Sequence, residues 1–264
     1  MWGIFRSAPL VSPESASWQF ETFRWLMRNA GGYAVFRSTP LVLPTDEFFP
    51  DKGLRGHDGV RALFDRVRHH AGMAEWPCEL RAQEEDEPHH IAEMVNVQRS
   101  SESAAGTFSI GGETSAVPVI TYNPAISRDP MALVATFAHE LAHYLCATFP
   151  EEPPGGEPMH EPATDLTAVF MGFGIFLANS SFKFDQFSEG TTLGWRAGTQ
   201  GYLPESELIF ALAICCSLHE DPWKDQLIHL DNHLRPILKK AMKQLESHAV
   251  ELAALREISS SASK

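Results

Sequence analysis

Cysteine is scarce in this chain, with only Cys78, Cys146, Cys215 and Cys216 among 264 residues. None is spaced as CxxC and each sits among apolar neighbours. This argues against a disulfide scaffold or a thiolate metal site, and for small buried hydrophobes in a reducing compartment. Long apolar runs are missing too. The longest, residues 166–178, is 13 residues with Thr167 and two glycines inside it, short of the roughly 20 that cross a bilayer, and it reads as a buried helix. Met1-Trp2-Gly3-Ile4-Phe5-Arg6 has neither the basic start nor the sustained apolar stretch of a secretory signal, so the expected location is the cytoplasm. Positive charge is also in short supply. Lys and Arg number 21 against 34 Asp and Glu, a net charge of −13, which repels phosphate backbones and anionic lipid heads. Neither a nucleic-acid nor a membrane partner is therefore expected. What remains, 44% hydrophobic and 21% charged, is the balance of a folded protein of one large domain or two small ones.

The local patterns predict an α+β fold. Ser12-Pro13-Glu14 is a helix start, followed by Trp18, Phe20, Phe23, Leu26 and Met27 and stopped at Gly31-Gly32. A strand is expected over 33–36, and prolines 40, 44 and 50 then break the chain into loop. Asp58 caps a second amphipathic helix ending near Gly72. Residues 91–97, 107–110 and 117–122 read as strands of a small antiparallel sheet. Helices follow over 130–148, 162–179 and 204–218, and in two pieces around Pro236 over 222–258. The expected division is an N-terminal helix and strand/loop region (1–57), a catalytic core (58–181), a helical region (182–258) and a disordered tail (259–264).

The chemistry concentrates in one segment, Thr136-Phe137-Ala138-His139-Glu140-Leu141-Ala142-His143-Tyr144-Leu145, which contains H-E-x-x-H. On a helix, residues four apart share a face, so His139 and His143 can direct lone pairs at one ion. Glu140, about 100° round the helix from His139, stays out of the first shell but can reach a water on the ion as general base. A catalytic zinc needs a third protein ligand, and the candidate is Glu161, 18 residues after His143 in His160-Glu161-Pro162-Ala163-Thr164-Asp165. Asp165, one turn further, can accept from the distal N–H of a ligating histidine, and is also a rival ligand; His160 is a weaker one.

His139-Glu140-x-x-His143 followed by Glu161-x-x-x-Asp165 resembles the zincin metallopeptidases of the gluzincin branch. The likeness covers about 50 residues, 117–165, and is closer to a minimal core than to a full thermolysin-like enzyme. It implies a sheet packed on an active-site helix pair, one zinc ion bound by His139, His143 and Glu161, Asp165 orienting His139, and a peptide or protein substrate. One departure is Pro162, which puts Glu161 at the start of its helix instead of inside it and keeps Asp165 in contention. The chemistry implied is amide hydrolysis by a metal-bound water, with Glu140 moving the proton. Tyr202 and His219 are candidate oxyanion donors by position, although packing roles fit each better. The strand over 117–122 is expected to take an extended peptide at its edge. The reading from another class is a non-catalytic regulatory protein that senses metal or binds a peptide on the same core.

The remaining features read as structure. His229 and His233 are also four apart, but no glutamate follows the first, so a solvated helix face is expected. His69-His70 and His89-His90 are read as surface pairs, and the glycines of the 169–176 stripe as allowing close packing against the metal helix. Gly31-Gly32, Gly111-Gly112 and Gly155-Gly156 read as turns.

Overall fold

The computed structural model describes residues 8–53, 55–83, 101–102, 106–109, 117–187, 203–219 and 223–259. Within these the fold is mostly helical with one small sheet, broadly α+β. Helix α1 (Pro13–Asn29) starts as its sequence dictates: the Ser12 hydroxyl accepts the Ser15 amide at 3.1 Å, and Pro13 takes the first helical position, where its missing N–H costs nothing.

Residues 33–36, expected as a strand, lie instead in a short helix, α2 (Gly32–Ser38). A strand would put Tyr33, Val35 and Arg37 on one face, whereas helical spacing groups Tyr33, Phe36 and Arg37. That second set is the one the tertiary structure uses. Phe36 is fully buried, Tyr33 Oη donates to the Leu218 carbonyl at 2.7 Å, and Arg37 donates to that of His219 at 2.5 Å, while Val35 is half exposed. Packing has overridden a β-like local composition.

Helix α3 (Gly56–His70) leads into β1 (Glu79–Ala82), followed by β2 (Ser101–Glu102), β3 (Gly106–Ser109) and β4 (Val119–Tyr122). The strand order is β1-β4-β3-β2. β3 and β4, in the expected strands over 107–110 and 117–122, pair antiparallel, and β2, which no expectation covered, pairs antiparallel with β3, but β1 runs parallel to β4 with Glu79 opposite Val119 and Ala82 opposite Tyr122. The sheet is therefore mixed, not antiparallel throughout. β1 has one buried residue, Leu80, in a polar Glu-Leu-Arg-Ala stretch, so alternation could not announce it. The strand expected over 91–97 lies outside the described residues.

Helix α4 (Pro130–Cys146) begins on an Asp129 cap and Pro130 and is buried from Ala132 to Ala142. Such all-round burial marks a central helix. Phe137 anchors it on both sides, meeting Phe64 of α3 at 5.0 Å and Tyr122 of β4 at 6.2 Å between ring centres. The chain then turns into α5 (His160–Ala168) and, after a wide turn over 169–173, into α6 (Gly174–Phe187).

Gly172 interrupts this long apolar stretch with φ +98°; its amide neighbourhood is the loop after α2, where Val42 N–H donates to the Gly172 carbonyl at 2.9 Å. A Cβ there would lie 2.2 Å from the Pro40 carbonyl oxygen, and one on Gly174 would lie 3.1 Å from Leu212. The glycines thus admit the 40–42 loop and the next core helix, not α4 as expected. The stretch Glu157–Ser181 is long and apolar enough to cross a membrane, but 94% of its most apolar window is buried inside the protein.

Helix α7 (Glu205–His219) follows, then α8 (Trp223–Gln226), α9 (Leu234–Leu245) and α10 (Ala249–Arg256). The two pieces expected around Pro236 are thus three. Pro236 sits in the first turn of α9, where it starts a helix rather than dividing one. One apolar cluster runs continuously from Val11 to Leu255, with α4, α5 and α7 inside it.

Candidate metal centre

The polar residues of α4 stand out because a buried helix tolerates few of them without partners. His139 and Glu140 are 2% and 0% exposed. His143, one turn on, is partly open to solvent. Across from them, Pro162 falls in the first turn of α5 and leaves no ladder bond unmade, so Glu161 sits at the very start of that helix. The loop that delivers it is held from a distance. Trp18 Nε1 donates to the Pro154 carbonyl at 2.8 Å and Trp25 Nε1 to that of Glu151 at 3.2 Å, and the Trp25 ring stands edge-on to Phe149 at 5.0 Å. Two indoles of α1 thereby set where α5 begins.

Three electron-pair donors converge at this junction. His139 Nε2 and His143 Nε2 are 3.1 Å apart, and Glu161 Oε2 lies 3.3 Å from the first and 3.5 Å from the second. Zinc ligands at about 2.0–2.1 Å in a tetrahedron are separated by about 3.3–3.4 Å, so the three edges suit one zinc ion with a fourth position left over. Among the described residues, His139, His143 and Glu161 are the group of three or more ligating side chains able to hold a metal.

Asp165 stands behind this triangle. Its Oδ1 is 2.9 Å from His139 Nδ1, and its Oδ2 accepts the Leu203 amide at 2.7 Å. Both carboxylate oxygens thus face away from the Nε2 side, so the third corner of the triangle of donor atoms is Glu161 and not Asp165. His160, the other rival, is not in the cluster.

The electrostatics follow from burial and charge. Burial pushes the Glu140 carboxyl up to about 8; His139 opposes this and Glu161 adds to it. Neither Glu140 oxygen has a hydrogen-bond partner among the described residues. His143 is pushed down, chiefly by burial. Burial also raises Glu161, but His139 and His143 more than offset it and hold the carboxyl well below the usual carboxylate range.

Other sequence expectations fare differently. β4 is interior to its sheet, with β1 on one side and β3 on the other over residues 119–122, so it has no edge there to offer a peptide. His219 stacks on Phe36 with ring centres 4.4 Å apart, a core position. Tyr202 lies outside the described residues. His229 belongs to a 3-10 turn and His233 precedes α9, so they do not share one helix face; His233 meets Glu205 at 3.0 Å. His70 is half-buried, with Nε2 2.8 Å from the Phe48 carbonyl, whereas His69 is exposed. His89 and His90 lie outside the described residues.

Two contributors escaped the sequence reading. Thr164 Oγ1 is 3.2 Å from His143 Nδ1, and the Leu203 amide is bound to Asp165. The only sequence signal for Thr164 is its place three residues after Glu161. Comparison of the chain with protein-family profiles, with curated proteins and with solved structures gave no match.

Proposed function

We propose that this protein is a zinc-dependent peptidase acting on peptide or protein amide bonds, of the gluzincin type. The observation that carries the reading is the triangle of His139 Nε2, His143 Nε2 and Glu161 Oε2, with edges of 3.1, 3.3 and 3.5 Å, beside a buried and unpartnered Glu140 carboxyl. One zinc ion held by those three atoms would supply Lewis acidity and a water acidified to about pKa 7.

The chain's own residues do the rest. Asp165 accepts from His139 Nδ1 and turns Nε2 toward the triangle. Glu140, buried beside the triangle, would in its ionised form receive a proton from water and return it to the leaving amine; the charge of a bound zinc ion would favour that form against the burial that opposes it. The net charge of −13 favours neutral or basic peptides over acidic ones, and the location proposed with this reading is the cytoplasm.

Burial of Glu140 also favours a second reading, a regulatory protein that binds metal without turnover, because a base with no exposed atom needs the site to open before it can work. Elemental analysis of the tag-free protein with a His139→Ala control, followed by mass spectrometry of a mixed peptide library incubated with the zinc-loaded chain, separates the two. One zinc per chain with new peptide termini supports the peptidase; zinc without cleavage supports the regulatory protein. Absence of zinc in wild type after loading at neutral pH sinks both.

A further inference from the structure

Each histidine of the triangle has a second ring nitrogen, and what that nitrogen meets decides which nitrogen is free to bind a metal. For His139 the acceptor is the Asp165 carboxylate. For His143 it is the hydroxyl of Thr164, at 3.2 Å from Nδ1. A hydroxyl can donate or accept, so distance alone leaves the His143 tautomer open. A second bond decides it. Thr164 Oγ1 also lies 2.9 Å from the His160 carbonyl oxygen, four residues back on the same helix. A carbonyl can only accept, so the single hydroxyl proton goes there and the oxygen's lone pair is turned to His143 Nδ1.

We infer that Thr164 is a positioning residue that fixes His143 as the Nδ1–H tautomer, presenting the Nε2 lone pair to His139 and Glu161. The two histidines are then oriented by unlike devices: a carboxylate that adds negative charge behind His139, and a neutral hydroxyl, itself polarised by a backbone carbonyl, behind His143. The consequence for metal affinity rests on the peptidase reading; the tautomer assignment does not. With both Nδ1 atoms protonated neither Nε2 carries a proton, so the 3.1 Å between them sets two lone pairs face to face, a repulsion that a cation would relieve.

The test uses the full chain. Long-range 1H–15N correlation spectra of the zinc-free protein, at a pH where its histidines are neutral, report the His143 tautomer directly, with His143→Gln for assignment. Zinc affinity is measured alongside by competition with a chromophoric chelator. The expected result is one Nδ1–H tautomer in wild type, loss of that preference in Thr164→Val with about a ten- to hundredfold weaker zinc affinity, and recovery of both in Thr164→Ser. A wild-type Nε2–H tautomer, a Thr164→Val chain that matches wild type in tautomer, or one that matches a zinc-binding wild type in affinity, overturns the inference. If Thr164→Val does not fold, the wild-type and Thr164→Ser spectra still decide. An Nδ1–H tautomer in a wild-type chain that binds no zinc leaves Thr164 in this role and removes the metal reading instead.

Discussion

Among the described residues two glutamates are buried, and they are treated in opposite ways. Glu207, in the first turn of α7, receives the Ser15 hydroxyl and, at 2.7 Å, the Gln19 amide, both from α1. Glu140, in the middle of α4, is more deeply buried and has neither oxygen bonded among the described residues. A buried polar group with its bonds made is an ordinary joint between helices, whereas one left unbonded costs stability that folding alone gives no reason to spend. The contrast points to structure at Glu207 and to function at Glu140.

The comparison breaks most visibly at Glu140. Glu140→Gln keeps the size of the side chain and removes the base, so peptide hydrolysis should fall by about 10²–10⁴-fold while zinc content is unchanged. Steady-state rates beside elemental analysis check it, and a variant with full turnover would return Glu140 to the class of unexplained buried acids. Next in size is the pair behind and within the triangle. Glu161→Gln should weaken zinc binding more than Asp165→Asn, whose loss should be about ten- to hundredfold. The reverse ranking in a chelator competition would make the aspartate the ligand, against the geometry in which its oxygens face His139 Nδ1 and the Leu203 amide.

How far the site could be read in the chain depended on whether one helix carried the information. The spacing of His139, Glu140 and His143 is a property of a single α-helix, so their shared face follows from periodicity alone. Choosing between Glu161 and Asp165 needed the angle between two helices, which the loop held by Trp18 and Trp25 sets. The role of Thr164 needed to know which way a hydroxyl proton points, and no residue pattern encodes that. The fold shows the same divide. α1 and α4 announce themselves by caps and apolar spacing, whereas β1 has one buried residue and is made a strand by its partner β4. α2 is helical because three of its side chains find the end of α7 and the core beside it.

Removal of the carboxyl sharpens the structural half of the comparison. Glu207→Ala strands the Ser15 hydroxyl in the α1–α7 seam and leaves the Gln19 amide with the Glu207 backbone carbonyl, at 3.1 Å, in place of the carboxylate, and should lower stability by about 1–3 kcal/mol. Chemical denaturation followed by circular dichroism measures it, with zinc content as the control that should not change. A loss below a few tenths would mean the seam is held by its apolar contacts alone.

The smallest expected effect concerns the charge that Glu207 carries. Burial raises its carboxyl above the ordinary value, more than the Ser15 and Gln19 bonds lower it. The folded state therefore holds a proton that the unfolded state has already released, and stability must fall as pH rises from the ordinary glutamate value, about 4.3, through the raised one. Glu207→Gln keeps an oxygen to accept both bonds but has nothing to ionise. The variant and the wild type should be about equally stable in mild acid, and the variant should gain on the wild type as pH approaches neutral. Denaturation midpoints taken across that range test this. A difference that stays flat with pH would show that Glu207 ionises as freely in the folded protein as outside it, and that its two bonds compensate fully for its burial.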